Sequence, residues 1–308
     1  MPPPVFLLII AALVAVALAY GYRTLTALSV LRALPEASDE PPCSPAEGET
    51  VALTGELVVE DPAPMGTASL EETDRAVGAY LWRARFPDNT NSSLTIEEWG
   101  WERQRWHTFA SGLEWGRFGV VSDGQTVRID PTWLHTATGA KPLDELEVGG
   151  LMKPDRFSIS LWDSWYTYLR NRTEYRSLKW FAGYVQRHND RIDLDRHLLE
   201  TRPLVDGTSV SVSGELETKQ GELVLRGSDE VPLLLTDGGF DEYSNWLRQQ
   251  SLKKAGIAVT LVFLAGCLWV EWYIPLVVLL GALVISLGYR FTQDAHIIVD
   301  FFRRIFRS

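Results

Sequence analysis

The chain has 308 residues, a formal net charge of −11, a pI near 5.0 and 46% apolar residues. That length suits one or two domains with a real core, and the acidity excludes the broad basic face that nucleic acid requires. Two cysteines and five scattered histidines exclude a disulfide framework and a Cys/His zinc module, which needs four clustered ligands. The basic residues are mostly Arg, and an acidic, Lys-poor surface suits a high-salt cytoplasm, as in a halophilic archaeon; an acidic mesophile is the alternative.

The first element is an uncharged run, VFLLIIAALVAVALAY (5–20), which with its flanks is long enough to span a bilayer. We assign residues 1–22 to a first transmembrane helix. A cleaved signal peptide is the alternative, since Ala17-Leu18-Ala19 resembles a cleavage site, but the basic leader of such peptides is missing. Residues 23–48 form a linker rich in Pro and acidic residues.

A β-rich unit follows over residues 49–254. ETVALTGEL (49–57) alternates as a strand and has a near-twin in TSVSVSGEL (208–216). The twins are equivalent strands of two β units or two strands of one barrel-like sheet; duplication and convergent patterning both remain open. Residues 76–86 alternate again, and Trp99, Trp101 and Trp106 suggest a further strand. Phe118–Val121 and Val127–Ile129 flank Asp123-Gly124, a hairpin whose turn needs a positive φ.

Between the β segments, residues 156–187 carry Trp162, Trp165, Tyr166 and Leu169 at the spacing of one helical face. The face packs on the sheet or rests on a bilayer or partner; Trp162, Trp165 and Tyr166 are candidate interaction residues on the second view, together with the loop after Pro62. Residues 240–252 form a helix with Phe240, Tyr243, Trp246 and Leu247 on one stripe, running directly into the next apolar run.

That run, 255–270, and a second at 273–289 read as a transmembrane hairpin, with Trp269, Trp272 and Tyr273 in the interfacial belt. Lys253 and Lys254 before it, and Arg290, Arg303, Arg304 and Arg307 after it, place both flanks in the cytoplasm. The expectation is a cell-membrane protein with three spans, its soluble domain and C-terminus inside. The tail (290–308) sets Ile298, Phe301, Phe302 and Ile305 largely opposite Arg303, Arg304 and Arg307, as in a helix lying on anionic lipid. A frayed basic terminus that only fixes topology is the other reading.

HLLETRPLVDGTSVSVSGELETKQGELVL (197–225) and PLLLTDGGFDEYSNWLRQQSLKKAGIAVTLVFLAG (232–266) resemble the GIDE, or besides-a-membrane, domain of mitochondrial RING-type E3 ubiquitin ligases and their bacterial and archaeal relatives. The residues that carry the resemblance are Glu200, Leu204, Gly207, Val210, Val212, Gly214, Glu215 and Leu216, then the 222–226 strand, the 240–252 helix and the span from 255. In the N-terminal half Pro62, Pro64, Ala79, Tyr80, Trp82, Phe118, Val120, Asp123, Gly124 and Val127 occur in the order of that family. The resemblance covers roughly residues 45–265 and implies an α+β fold, β-rich with short helices, flanked here by three transmembrane helices. The family's ligases carry a RING after the second span; no Cys follows Cys267 here, so ligase-like function by resemblance requires a catalytic module on another chain.

No catalytic, cofactor or metal site emerges. His197 and Glu200 lack a third ligand, Glu97-Glu98 and Asp241-Glu242 read as solvated faces, and Ser122-Asp123-Gly124 reads as a turn. The function expected is a non-catalytic interaction or membrane-organisation module whose partners are the bilayer and a membrane or cytoplasmic protein.

Overall fold

A computed structural model describes residues 4–34, 48–64, 75–87, 106–122, 124–149, 161–170 and 174–270. The chain divides into two units, residues 27–248 and a second made of 1–26 with 249–308. In chain order the elements are α1 (Pro4–Ala33), β1 (Glu49–Asp61), β2 (Val77–Pro87), β3 (Trp106–Trp115), β4 (Arg117–Ser122), β5 (Gln125–Asp130), α2 (Thr132–Thr138), β6 (Glu147–Val148) and β7 (Thr167–Tyr168). After them come β8 (Glu174–Ser177), β9 (Arg187–His188), β10 (Leu198–Val205), β11 (Ser209–Lys219), β12 (Glu222–Arg226), β13 (Leu234–Thr236) and α3 (Phe240–Trp269).

Five strands of the larger unit close into a ring. β1 pairs with β4, β4 with β5, β5 with β12, β12 with β11, and β11 returns to β1. All these pairs are antiparallel except β5–β12. A ring with one parallel pair between the third and fifth of its strands, and a short helix after the third, has the connectivity of OB-type barrels. β13 and β7 extend the sheet beyond β11. Leu53, Leu57, Phe118, Val120, Val127, Ile129, Val212, Leu216 and Leu225 fill the main core.

The two twin strands are immediate antiparallel neighbours in this ring. Leu53 pairs with Val212, its own counterpart in the second copy, so the pairing has a local two-fold symmetry through that pair. Gly48 N–H donates to Leu216 O at 3.2 Å, and its counterpart Gly207 N–H donates to Leu57 O at 2.8 Å. Within the shared Gly-Glu-Leu each strand takes on a further neighbour: from Glu56 onward β1 pairs with β4, and from Glu215 onward β11 pairs with β12. A Cβ on Gly55 would overlap Val121 O, and one on Gly214 would overlap Arg226 O. The motif therefore recurs because two backbones crowd the same position in each copy, and only glycine fits.

A four-stranded sheet in the order β3-β2-β10-β8 stands beside the ring. One face gives Ala79, Leu81, Leu113 and Leu204 to the main core; the other gives Tyr80, Trp82, Ala84 and Leu199 to a second core completed by Leu143, Leu178 and Phe181. β10 contains Pro203, whose missing N–H breaks a ladder. It stands opposite Tyr80 of β2 in the antiparallel β2–β10 pair.

Residues 156–187 are not one helix. The described part is a 3-10 turn at Leu161–Asp163, strand β7 joined parallel to β13, strand β8, a 3-10 turn at Leu178–Phe181, and β9. Asp163 and Ser164 stop the first turn, and the Thr-Tyr pair that follows suits a strand. Trp162 then enters the main core while Trp165 enters a third, so the spacing that mimics a helical face serves two separate clusters.

α1 does not end at Tyr22; it continues to Ala33, because Pro35 is the first breaker after Gly21. Thr24 and Thr26 bond their hydroxyls back to Tyr20 O and Tyr22 O. In the second unit, Leu7, Leu8, Leu18, Ile257, Val259, Val262 and Phe263 are exposed. Helices with apolar side chains turned outward all round suit a hydrocarbon solvent rather than water. Two helices, Val5–Ala33 and Phe240–Trp269, are long and apolar enough to cross a membrane. The expected third span at 273–289, Trp272, Tyr273, the tail with Arg303, Arg304 and Arg307, and Trp99 and Trp101 lie outside the described residues.

Candidate functional site

The third core is where both apolar helices join the β-rich unit. Ala27 and Val30 of α1 share it with Ala52 of β1, Trp165, Leu234 of β13, and Phe240, Tyr243 and Leu247 of α3. Aromatic rings dominate it. Tyr243 stacks on Tyr168 with centroids 5.8 Å apart, and Trp246 meets Tyr168 at 4.8 Å and Trp165 edge-on at 5.5 Å. The buried Tyr243 hydroxyl donates to Trp165 O. At the rim, Arg170 Nη1 donates to Glu242 at 2.6 Å, and Arg170 N–H donates to Asp237 Oδ1 at 2.8 Å. Asp241 and Glu242 occupy the first turn of α3, where carboxylates oppose the positive end of the helix dipole. Tyr243 and Trp246 come from the stripe expected on the 240–252 helix; Trp165 and Tyr168 come from β7 and the residues before it.

This placement corrects the expectation for the candidate contact residues. Trp162 and Trp165 are buried, at 3% and 6% exposure, and Tyr166 is half-buried. Trp162 and Trp165 are core residues because each ring fills a cluster, and Tyr166 packs at the edge of both clusters. Of the expected interfacial belt, Trp269 is described and is 60% exposed.

Trp162 is part of a charged cluster. Both the Arg83 and Arg202 guanidinium carbons lie over its ring, at 4.4 and 4.2 Å. Glu200, nearly fully buried, accepts from Arg83 Nε at 2.5 Å, Arg83 Nη2 at 2.7 Å and Arg85 Nη1 at 3.1 Å. The β2–β10 register produces this, since Glu200 stands opposite Arg83 and Leu198 opposite Arg85. His197, by contrast, places Nδ1 2.8 Å from Asp193 O and its ring near Phe86 and Phe109. His197 and Glu200 therefore serve separate partners. Among the described residues no group of three His, Cys, Asp or Glu side chains is arranged to hold a metal ion.

A second buried carboxylate, Glu114 of β3, sits on the other face of that sheet at 4% exposure. Leu143 N–H donates to Oε1 and the Tyr184 hydroxyl to Oε2 at 3.5 Å. Burial pushes its pKa up to about 7, with the Leu143 N–H bond and the nearby Trp82 indole pulling the other way and Asp144 adding repulsion. Tyr184 is pushed to about 12 by burial and by Glu114, and Tyr80 is raised by the same causes.

The feature that sequence reasoning missed is Trp180, 70% exposed on the 3-10 turn after β8. It is the single exposed large hydrophobic among the described residues of the β-rich unit. Its neighbours Leu178 and Phe181 are buried, so the short turn must put one aromatic outward. The SLKWF segment shows no periodicity that separates Trp180 from them.

The fold and site define a β-barrel protein carrying two helices long and apolar enough to cross a membrane. Compared with protein-family models, with curated proteins and with solved structures, the chain gives no match in any of the three.

Proposed function

We propose that the chain is a membrane-anchored, non-catalytic interaction and membrane-organisation module of besides-a-membrane type. One observation carries this reading: the ends of both apolar helices are built into a core of the β-rich unit. An anchor that only tethers needs no such core, because a flexible linker serves as well. Residues 27–33 and 240–248 therefore fold as part of the β-rich unit itself.

In this reading the chain crosses the membrane three times, with residues 273–289 as the third span and the β-rich unit in the cytoplasm beside Lys253 and Lys254. The resemblance to GIDE domains supports it through the order of Gly-Glu-Leu strand, second strand, helix and apolar run. Trp180 is the contact residue for a protein partner, since an exposed aromatic is a typical hot spot. Crosslinking in native membranes tests this: a defined partner recovered with the natural chain and lost with Trp180→Ala supports it. Recovery of the same partners at the same yield from both overturns Trp180 as the contact.

The ligase-like reading, with the catalytic module on another chain, draws on the same order of elements. A purified-component conjugation assay separates the two. Modifier transfer that requires this chain supports the ligase-like reading, and its absence leaves the scaffold.

A further inference from the structure

The Arg83–Arg202–Trp162 cluster contains one guanidinium that its fold leaves without a hydrogen bond among the described residues. Arg83 spends Nε and Nη2 on Glu200, and Arg85 gives Nη1 to the same carboxylate. Arg202 is half-buried and makes no side-chain hydrogen bond or ion pair among the described residues; its guanidinium lies over the Trp162 ring. Glu200, Asp163 and Asp237 act on Arg202 through space rather than by a hydrogen bond among the described residues. Burial and the neighbouring Arg83 charge lower the pKa of Arg202, as expected for a cation held in a positive field.

Stacking on Trp162 also fixes the geometry. A guanidinium seated over an aromatic ring is ordered in advance of binding, and its fork of N–H groups matches two oxygens of an oxyanion. A dianion with several oxygens suits two adjacent guanidiniums better than a single carboxylate does. We propose that Arg202 and Arg83, stacked on Trp162, form a binding site for a phosphate group. Arg202 is the primary ligand-binding residue, Arg83 the second, and Glu200 the group that orients Arg83. The proposal does not rest on the membrane-scaffold reading. The phosphate comes either from solution or from a phospholipid headgroup.

The test uses the full chain in phosphatidylcholine nanodiscs at constant ionic strength. Inorganic phosphate is titrated calorimetrically into the natural chain, Arg202→Gln, Arg202→Lys and, as a distant control, Arg187→Gln. A lost charge-assisted bidentate contact weakens binding about 10- to 100-fold in Arg202→Gln. Arg202→Lys keeps the charge but loses the fork and is weakened as well, so the proposal is testable even if the Gln variant fails to fold. Arg187→Gln binds like the natural chain. A second arm replaces free phosphate with nanodiscs containing phosphatidic acid and follows the thermal midpoint. Response to free phosphate identifies a soluble ligand; an Arg202-dependent rise only with phosphatidic acid identifies the headgroup. No response in either arm, or the same response in the natural chain and both Arg202 variants, overturns the site.

Discussion

Replacing Glu114 by Gln should reshape the pH dependence of stability. The carboxyl is raised from 4.5 to about 7 in the folded chain. A group with a raised folded pKa contributes stability that is fully present below its unfolded pKa and lost as pH rises through the folded value. The window is therefore pH 4.5 to 7. Each pKa unit corresponds to roughly 1.4 kcal/mol, so the natural chain gives up about 3 kcal/mol across that window through this group. Gln keeps an acceptor for Leu143 N–H and does not ionise. Below pH 4.5 the two proteins should be close in stability; above pH 7 the variant should be more stable by about 3 kcal/mol. For a unit of this size that is a rise of about 6–12 °C in thermal midpoint. The assay is the near-ultraviolet circular dichroism melt of both full chains in the same detergent between pH 4.5 and 8.5. The difference between them isolates Glu114 from other titrating groups. A difference that stays constant over that range refutes the reasoning.

Other expectations follow from the same structure. Gly55→Ala and Gly214→Ala force a Cβ into a neighbouring carbonyl and should each cost about 2–3 kcal/mol or more, while Gly124→Ala, in open space at φ 75, should cost about 1 kcal/mol; melts of the variants rank them, and equal effects would contradict the crowding argument. Tyr243→Phe leaves Trp165 O without its donor and should destabilise the helix seat by about 1–3 kcal/mol, seen as faster proteolysis within residues 240–248; unchanged proteolysis would contradict it. Glu200→Gln removes the carboxylate between Arg83 and Arg85 and should cost about 3 kcal/mol, the low end for a broken buried pair because both arginines keep partial contact with water; a neutral variant would show the pair to be dispensable.

Much of the barrel was legible before the structure. The twin strands, the hairpin around Gly124 and the stripe at Phe240–Leu247 all announce themselves by period, and the choice between two β units and one sheet falls to the latter once β1 and β11 pair. The segment from 161 to 170 was not legible. Its aromatics recur at helical spacing, yet Trp162 and Trp165 fill different cores, and a period cannot reveal that two clusters rather than one receive it. β10 was hidden by Pro203, which normally argues against a strand, yet it pairs with β2 along Leu198–Val205. The Glu200 cluster depends on the β2–β10 register, and Glu114 on the loop that brings Leu143 N–H to it. Neither arrangement exists until strands distant in sequence are paired.

The proposed function requires that the two apolar helices, Val5–Ala33 and Phe240–Trp269, sit in a membrane. Alkaline carbonate extraction of membranes from cells expressing the full chain tests it most directly, with Tyr243→Phe and the natural chain run together. The account predicts that both chains stay in the membrane pellet, and that protease trims the β-rich unit from the Phe240 end sooner in the variant. Release of the natural chain into the carbonate supernatant would contradict it.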